Sequence, residues 1–249
     1  MNYQNIGNGT FVLGECLEVM AQMPDNCADM ILCDLPYGTT ACKWDVVIPF
    51  DELWKQYWRI AKENAPIVLT AAQPFTTKLI ESQFDYYKYL WYWVKNRKTG
   101  NMLAKKQPLR CVEEILIFGK SKIPYNPQLG NPTKHGGTKT PKSKAAVYAL
   151  SEASQKDDYV RPLLETPNHI LNFNTERGIH PTQKPVALFE YLIKTYSNEG
   201  DLVLDNCAGS GTTAIAAENT KRRWACIEQN EEYANKAIER IKAHIENPA

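Results

Sequence analysis

The feature that most constrains the fold is the segment DLVLDNCAGSGTTAIAAENTKRRWACIEQ at residues 201–229. Its pattern is that of a buried strand, a glycine turn, a helix of small residues and a second strand. Gly209 and Gly211 allow the backbone to turn tightly and to approach a ligand closely, and the N-terminus of the following helix favours a negative ligand group. Glu228 ends the second strand, where an acid in a nucleotide-binding βαβ unit accepts hydrogen bonds from ribose hydroxyls. The segment therefore predicts an α/β fold with a nucleotide-like ligand.

Four interpretations of this turn differ in the ligand. A kinase-type phosphate loop requires Lys directly after the second glycine, and Thr212 stands there instead. A dinucleotide site is compatible with GSGTTA, but the residues after Glu228 are too few for a second nucleotide-binding half. S-adenosylmethionine, an adenosine ligand without a pyrophosphate, requires only the turn, Asp205 and Glu228, with the N-terminal strands completing the sheet. A purely structural turn is the fourth interpretation.

Apolar runs and helical periodicities alternate along most of the chain. Helical patterns separate most of the apolar runs that are typical of strands, which lie at residues 10–14, 29–34, 65–72, 86–94, 111–120, 201–207 and 222–228. This alternation predicts a mostly parallel sheet with helices on both faces. Between residues 121 and 178 the periodicity fades into a mixture of Pro, Gly, Asn and Lys. The predicted domains are a core at 1–120 and 179–249 and a loop-rich insertion at 121–178, with a basic flank from about residue 95.

Charge is distributed unevenly along the chain. Residues 95–144 contain 12 Lys and Arg but only 2 Asp and Glu, a local charge of +10, whereas the remainder carries 17 basic and 26 acidic residues, or −9. Such asymmetry is typical of an anion-binding insertion in an acidic body. A solvated, lysine-rich loop is the alternative.

The cysteines and the apolar runs predict a cytoplasmic protein without a metal site. None of the seven cysteines has Cys-x-x-Cys spacing, and the chain has only 4 His. Reduced, buried thiols are therefore expected rather than a zinc site or a disulfide framework. The N-terminal MNYQNIGNGT is not a secretory signal, and no apolar run approaches the roughly 18 residues of a membrane span.

A second compact motif, DLPYG, follows the apolar run that ends at Cys33. Asp34, Leu35, Pro36 and Tyr37 place a carboxylate, a rigid turn and an aromatic ring side by side. Strands often end in turn residues, so the motif alone is compatible with a structural role.

Three motifs together resemble those of the amino-methyltransferases that act on DNA: DLPYG near the N-terminus, and HPTQKPVALFEYLIKTY and VLDNCAGSGTT near the C-terminus. Their order resembles the circularly permuted β class, and the short form with KQPLR and EEILIF resembles phage and prophage members. The resemblance implies a Rossmann-like methyltransferase fold with a seven-stranded, mostly parallel sheet. It also implies that S-adenosylmethionine is the cofactor and that the enzyme is cytoplasmic and bacterial or phage-encoded.

The resemblance implies that the tetrapeptide is catalytic. The Asp34 carboxylate and the Leu35 carbonyl would accept the two hydrogens of an exocyclic amine, which directs its lone pair at the methyl group for in-line transfer. Pro36 would fix the turn, and Tyr37 would stack on a target base flipped out of double-stranded DNA. The family usually has Pro where Leu35 stands. The reaction requires no metal.

Further site residues are implied by the same resemblance. The cofactor-binding set comprises Asp34, Thr182, Lys184, Asp205, Cys207, Gly209, Gly211, Thr212 and Glu228. Cys207 replaces an aromatic residue of the family, and Glu15 replaces an Asp. The insertion is expected to select the DNA sequence, with a short or weakly selective recognition site. The predicted DNA-binding residues are Trp44, Lys95, Arg97, Lys98, Lys105, Lys106 and Arg110, whose phosphate contacts would make the affinity salt-dependent.

Asp at the first position of the tetrapeptide favours N6-adenine as the target, because family members with Ser there favour the N4 amine of cytosine. The prediction is thus a site-specific DNA N6-adenine methyltransferase, and an N4-cytosine enzyme is the alternative. A catalytically silent DNA-binding protein and an NAD-dependent oxidoreductase remain as other classes. A homodimer is also predicted from the resemblance.

Overall fold

The computed structural model describes residues 2–40, 42, 44–131, 163–176, 178–179 and 182–247. Most of the predicted insertion, residues 132–162, lies outside this part of the chain, as do His180 and Pro181 of the HPTQKP motif. The described strands are β1 (Asn2–Ile6), β2 (Gly9–Leu13), β3 (Met30–Asp34), β4 (Ile67–Ala71), β5 (Tyr87–Thr99), β6 (Arg110–Phe118), β7 (Ile170–Asn172), β8 (Leu202–Asp205) and β9 (Arg223–Glu228). The helices are α1 (Cys16–Ala21), α2 (Phe50–Ile60), α3 (Phe75–Ser82), α4 (Val186–Tyr196), α5 (Thr212–Asn219) and α6 (Glu231–Glu246).

The central strands are apolar on both faces because helices cover both faces of the sheet. In β3, Met30 and Leu32 belong to one buried cluster with residues of α4, α5 and α6. Ile31 and Cys33 point the other way, into a second cluster with residues of α1, α2 and α3. The alternation follows from the two-residue period of a strand. The expected α/β architecture, with helices on both faces, is therefore present.

Within the described residues, the sheet has nine strands in the order β1-β2-β9-β8-β3-β4-β6-β5-β7. The run from β2 to β4 is parallel, whereas β6 pairs antiparallel with both β4 and β5. The expected seven-stranded, mostly parallel sheet is corrected here to a mixed sheet of nine. All seven predicted strands are present, and β1 and β7 are added at the two edges. The polar NYQNI and the three-residue ILN show no apolar run because an edge strand is covered on fewer sides.

Two neighbouring parallel strands in the middle of the sheet bring their carboxyl ends together. β3 and β8 pair in register, with Met30 opposite Val203 and Ile31 opposite Leu204, so their carboxyl ends lie side by side. From β8 the chain crosses to β9 on one side, and from β3 it crosses to β4 on the other. This reversal is a topological switch point, the place where open α/β sheets bind ligands.

The chain divides into two compact units. One consists of residues 1–126 and 169–249, and the other is Pro127–Asn168. In the described part of the second unit, Gly130 and Glu165 are joined by a backbone hydrogen bond of 2.8 Å, as are Glu165 and Asn131. Residues 121–126 and 169–178 of the predicted insertion fall in the first unit, so the compact segment is shorter than expected. Its role in target recognition stays a prediction.

Neither a metal-binding cluster nor a membrane-spanning helix is found among the described residues. Among them, no cluster of His, Cys, Asp and Glu is arranged to hold a metal ion. No helix in that part of the chain is both long and apolar enough to cross a membrane.

Candidate active site

A cleft of about 1000 Å³ lies at the carboxyl ends of the parallel strands. It brings together most of the residues singled out in the sequence. The predicted site residues that line it are Asp34, Leu35, Pro36, Tyr37, Trp44, Lys95, Arg97, Arg110, Thr182, Lys184, Asp205, Cys207, Gly209, Thr212 and Glu228. Gly211, Lys98, Lys105 and Lys106 are not part of its lining. Segments far apart in the sequence thus share one cleft.

The glycine turn between β8 and α5 depends on left-handed backbone at two positions. Gly209 has φ of 50° and Gly211 has φ of 74°, a region that side chains disfavour. Gly209 faces the cleft, whereas a Cβ at Gly211 would lie 2.9 Å from Cδ1 of Ile241 in α6. The first glycine therefore serves the ligand side of the turn, and the second allows α5 to pack closely on α6.

Glu228 ties the end of β9 to the glycine turn. Its Oε2 accepts a hydrogen bond of 2.9 Å from the Gly209 amide, and its Oε1 accepts one of 2.8 Å from the Asn230 amide. Burial raises the pKa of this carboxyl, and the backbone N–H groups oppose that effect only in part. Each oxygen retains acceptor capacity toward the cleft, so the carboxylate suits a pair of ribose hydroxyls.

Asp205 lies beneath the same turn and is almost fully buried. One carboxylate oxygen accepts a hydrogen bond of 3.0 Å from the Cys207 amide, and the other accepts one from the Thr213 hydroxyl. Burial raises the pKa of Asp205 to about 6 despite these two bonds. Both oxygens are engaged within the turn, so Asp205 shapes the turn from below.

Asp34, the last residue of β3, is surrounded by hydrogen-bond donors. Its Oδ1 accepts from the Tyr37 hydroxyl at 2.8 Å and from the hydroxyl of Thr70 on the adjacent β4. Its Oδ2 accepts from Nζ of Lys184 at 2.6 Å. The Tyr37 ring stacks on Phe75 with a centroid distance of 5.1 Å. These contacts fix the carboxylate at the carboxyl end of β3, beside the switch point.

The loop after the tetrapeptide is held by a residue that the sequence analysis did not single out. The carboxylate of Asp45 accepts backbone N–H bonds from Gly38 at 2.8 Å, Thr39 at 2.9 Å and Thr40 at 2.7 Å. Burial opposes ionisation of Asp45, but its hydrogen bonds outweigh burial and lower its pKa. The sequence signal for this role of Asp45 was an acid shortly after the run Gly-Thr-Thr, because a turn of this kind leaves several backbone amides in need of an acceptor.

A row of alternating charges crosses the floor of the cleft. Lys184, only 6% exposed, lies between Asp34 and Glu113, with its Nζ 2.6 Å from Oδ2 and 3.4 Å from Oε2, respectively. Glu113 also pairs with Lys95 at 2.8 Å. Burial disfavours both charges, yet the carboxylates raise the pKa of Lys184, and Lys184 and Lys95 lower that of Glu113. The four side chains sum to zero charge, which offsets part of their desolvation.

Two of these placements differ from what the sequence suggested. Lys95, expected on the DNA-facing surface, is 8% exposed, and its ammonium is paired with Glu113. Glu113 itself was not anticipated, and the sequence signal for it was a pair of adjacent acids in the otherwise apolar strand CVEEILIF. Lys95 is therefore placed as part of the cleft floor, and a phosphate contact for it stays a prediction that this placement does not favour.

Of the remaining residues expected at the cofactor, some line the cleft and others hold neighbouring segments in place. Thr182 lines the cleft, and the buried Thr212 hydroxyl donates to the Lys184 carbonyl at 3.3 Å. Contacts with the Cys16 and Cys33 thiols, together with burial, raise the pKa of Cys207, which keeps it a neutral thiol. The Glu15 carboxylate accepts from the Glu18 amide at 2.9 Å and so caps α1. Glu15 is thus engaged by its own helix.

Together, the fold and the site define an α/β enzyme core with a nucleotide-type cleft beside a held carboxylate. The family model described as DNA methylase, N6_N4_Mtase, matches residues 28–239. The chain therefore belongs to this DNA methylase family.

Individual relatives agree with this membership. The Type II methyltransferase M.HpaI of Haemophilus parainfluenzae is 26% identical, with 94% of this chain and 74% of the relative covered. The Type II methyltransferase M1.MboII of Moraxella bovis is also 26% identical, with 89% and 92% covered.

Solved structures are similar over nearly the whole chain. That of an M1.HpyAVI–SAM complex has a TM-score of 0.62 at 25% identity, and 92% of this chain and 98% of that one are covered. The cytosine-N4-specific PvuII DNA methyltransferase has a TM-score of 0.67 at 18% identity, with 97% and 94% covered. The latter similarity concerns the fold alone.

Proposed function

We propose that this protein is a site-specific DNA methyltransferase that transfers a methyl group from S-adenosylmethionine to the exocyclic N6 amine of adenine. The observation that carries the proposal is the shared cleft, in which Asp34 and Tyr37 of the tetrapeptide face the same space as Gly209 and Glu228. Membership of the DNA methylase family supports DNA as the substrate.

The cofactor is S-adenosylmethionine, and the residues present fit it. The Glu228 carboxylate at the end of β9 suits ribose hydroxyls, and Gly209 allows the backbone to approach an adenosine ligand. Thr182 and Lys184 line the cleft, and Lys184 contacts Asp34 of the tetrapeptide. When bound, this cofactor supplies an electrophilic methyl group on a sulfonium. The neutral charge row does not repel a cation.

The chain's own groups account for activation of the amine. Asp34 and the Leu35 carbonyl accept the amine hydrogens, which keeps the nitrogen lone pair free of the ring and aimed at the donor side of the cleft. Tyr37 holds the extruded base by stacking, after unstacking that costs a few kcal/mol. Buried Leu35 stands where the family usually has Pro, so the packing of its side chain takes over part of the rigidity that a ring would provide.

Adenine rather than cytosine is proposed because the tetrapeptide begins with Asp. The order of motifs supports a circular permutation, since the late strands β8 and β9 lie between the early strands β2 and β3. The proposed division is a catalytic core at 1–120 and 179–249 and a target-recognition insertion at 121–178. A phage or prophage origin, a cytoplasmic location and a homodimer stay predictions from the resemblance.

The proposal is tested with tritiated S-adenosylmethionine, plasmid DNA and nucleoside analysis of the product. We expect N6-methyladenine from the wild type and no transfer from Asp34→Ala, which should still bind the cofactor in calorimetry, with reduced affinity, because Gly209 and Glu228 are unchanged. Tyr3→Ala, on the edge strand β1 and outside the cleft lining, is the control and should retain activity. N4-methylcytosine as the product would overturn the adenine assignment, and DNA binding without transfer would indicate a silent DNA-binding protein.

A further inference from the structure

The hairpin that joins β5 to β6 ends in a well-formed tip. We define the hairpin tip as residues 99–110, between the paired Thr99 and Arg110. Gly100, with φ of 89°, starts a short 3₁₀ turn at Asn101–Leu103. The Leu103 carbonyl then accepts the amides of Lys106 at 2.8 Å and Gln107 at 3.0 Å. These bonds give the tip a definite shape.

The side chains at the end of the tip are apolar and exposed. Met102 is 100% exposed and Leu103 is 44% exposed. A single exposed apolar residue is common on protein surfaces, so exposure alone carries no conclusion. The position of the tip is the second observation, because Arg97, Thr99 and Arg110 at its base line the cleft. Met102 is therefore carried on an extension of the cleft wall.

The charge around the tip indicates the kind of partner. Residues 96–112 contain five basic residues and no acidic one. Arg97, Lys98, Lys105, Lys106 and Arg110 are exposed. A wholly basic surface is complementary to a polyanion such as a phosphate backbone. An apolar side chain in the middle of such a surface is the arrangement of a wedge that enters between base pairs.

We propose that the hairpin tip is a DNA wedge that inserts Met102 into the stack at the position left by the extruded base. The basic residues beside it hold the flanking phosphates. The wedge acts on the substrate duplex and touches neither the amine nor the methyl donor, so it is a positioning element that stabilises the flipped-out state. This inference rests on the proposed function, since it requires a target base that must leave the duplex in order to be methylated.

The test compares Met102→Ala on two duplexes that contain a sequence modified by the wild type, identified by sequencing methylated plasmid DNA. In one duplex the target base is paired, and in the other it is opposite an abasic site, which lowers the cost of extrusion. We expect Met102→Ala to lower kcat/KM at least tenfold relative to the wild type on the paired duplex. On the abasic duplex its kcat/KM should be close to that of the wild type. Met102→Leu should retain activity on both.

Two further variants separate insertion from phosphate binding. Lys105→Ala with Lys106→Ala should weaken binding equally on both duplexes and reduce the slope of log K against log salt by about 1.8, that is about 0.9 for each contact. Tyr3→Ala, which removes an exposed aromatic ring (64% exposed) at the other edge of the sheet, should change neither quantity. Fluorescence of 2-aminopurine at the target position should rise less with Met102→Ala than with the wild type.

The outcomes distinguish the wedge from the function on which it rests. If Met102→Ala matched the wild type on the paired duplex, or lost activity equally on both duplexes, the wedge would be wrong and the methyltransferase assignment would stand. If the wild type modified no DNA at all, the proposed function would fail and the wedge with it.

Discussion

At the scale of single residues, the cleft floor is organised around Lys184. This ammonium is the shared partner of Asp34 and Glu113, which lie on strands β3 and β6. Removing one partner of a buried ion pair leaves a charge that neither water nor protein compensates. Lys184 therefore links the Asp34 carboxylate at the end of β3 to Glu113 on β6.

We predict that Lys184→Met lowers the free energy of unfolding by about 3–5 kcal/mol, the usual cost of an uncompensated buried charge. Adding Asp34→Asn should restore part of this loss, because Asp34 is the carboxylate left without an ammonium partner, whereas Glu113 keeps its pair with Lys95. Urea unfolding of the two single variants and the double variant measures the coupling. Lys236→Met is the control, since its exposed pair with Glu232 on α6 should matter little. Strict additivity of the two changes would contradict the coupling.

Asp205 provides a pH-dependent prediction whose sign follows from its pKa of about 6. Because this value lies above the roughly 3.9 of an unfolded Asp, the native state binds the proton more tightly. The contribution of Asp205 to stability therefore falls as pH rises from about 4 to about 6 and is level above that. Asp205→Asn removes this titration.

The unfolding free energy of Asp205→Asn minus that of the wild type should thus increase by up to about 3 kcal/mol between pH 4 and pH 6, at 1.36 kcal/mol per pKa unit. Urea unfolding at pH 4, 5, 6 and 7 measures this difference. The comparison cancels all groups whose titration the substitution leaves unchanged. A difference that does not change with pH would contradict the assigned pKa.

At the scale of elements, the glycine turn combines a backbone requirement with a packing requirement. Gly211 starts α5 with a left-handed φ and lies against Ile241 of α6. Gly200 also has a left-handed φ, of 84°, but a Cβ there would meet nothing within 4 Å. The two positions share the backbone strain of a side chain and differ in the space available to it.

We predict that Gly200→Ala costs about 1–2 kcal/mol, the penalty of left-handed backbone for a residue with a side chain. Gly211→Ala should cost more, because its methyl group must displace the end of Ile241 in a packed core. Thermal or urea unfolding of both variants isolates the packing contribution. Equal losses would mean that α6 moves away from the turn without cost.

At the scale of the whole molecule, the sequence was sufficient for the inner sheet and insufficient for its edges. Strands such as β3 and β4 are apolar on both faces, so their composition reveals them. β1 and β7 are held by backbone pairing at the rim, which requires no apolar pattern. The glycine turn and the tetrapeptide were recognisable because each is a compact local motif.

The supporting side chains were harder to foresee because they act across the fold. Glu113 and Lys184 are distant in the sequence and meet only once β6 lies beside β4. Local composition cannot show whether a lysine points outward, and Lys95 lies in a basic run yet pairs inward. Asp45 was within reach of sequence reasoning, since unpaired amides in a short turn call for an acceptor.

The residues that flank the segment Pro127–Asn168 on both sides are hydrogen-bonded to other residues of the first unit. Asn126 donates to the carbonyls of Thr195 and Ser197 at the end of α4, and the His169 carbonyl accepts the Tyr92 amide at the start of β7. The sheet is therefore complete on either side of the segment. Over evolutionary time such an attachment admits exchange of the intervening chain for one of another length or composition, while the strands and helices on either side keep their own bonds.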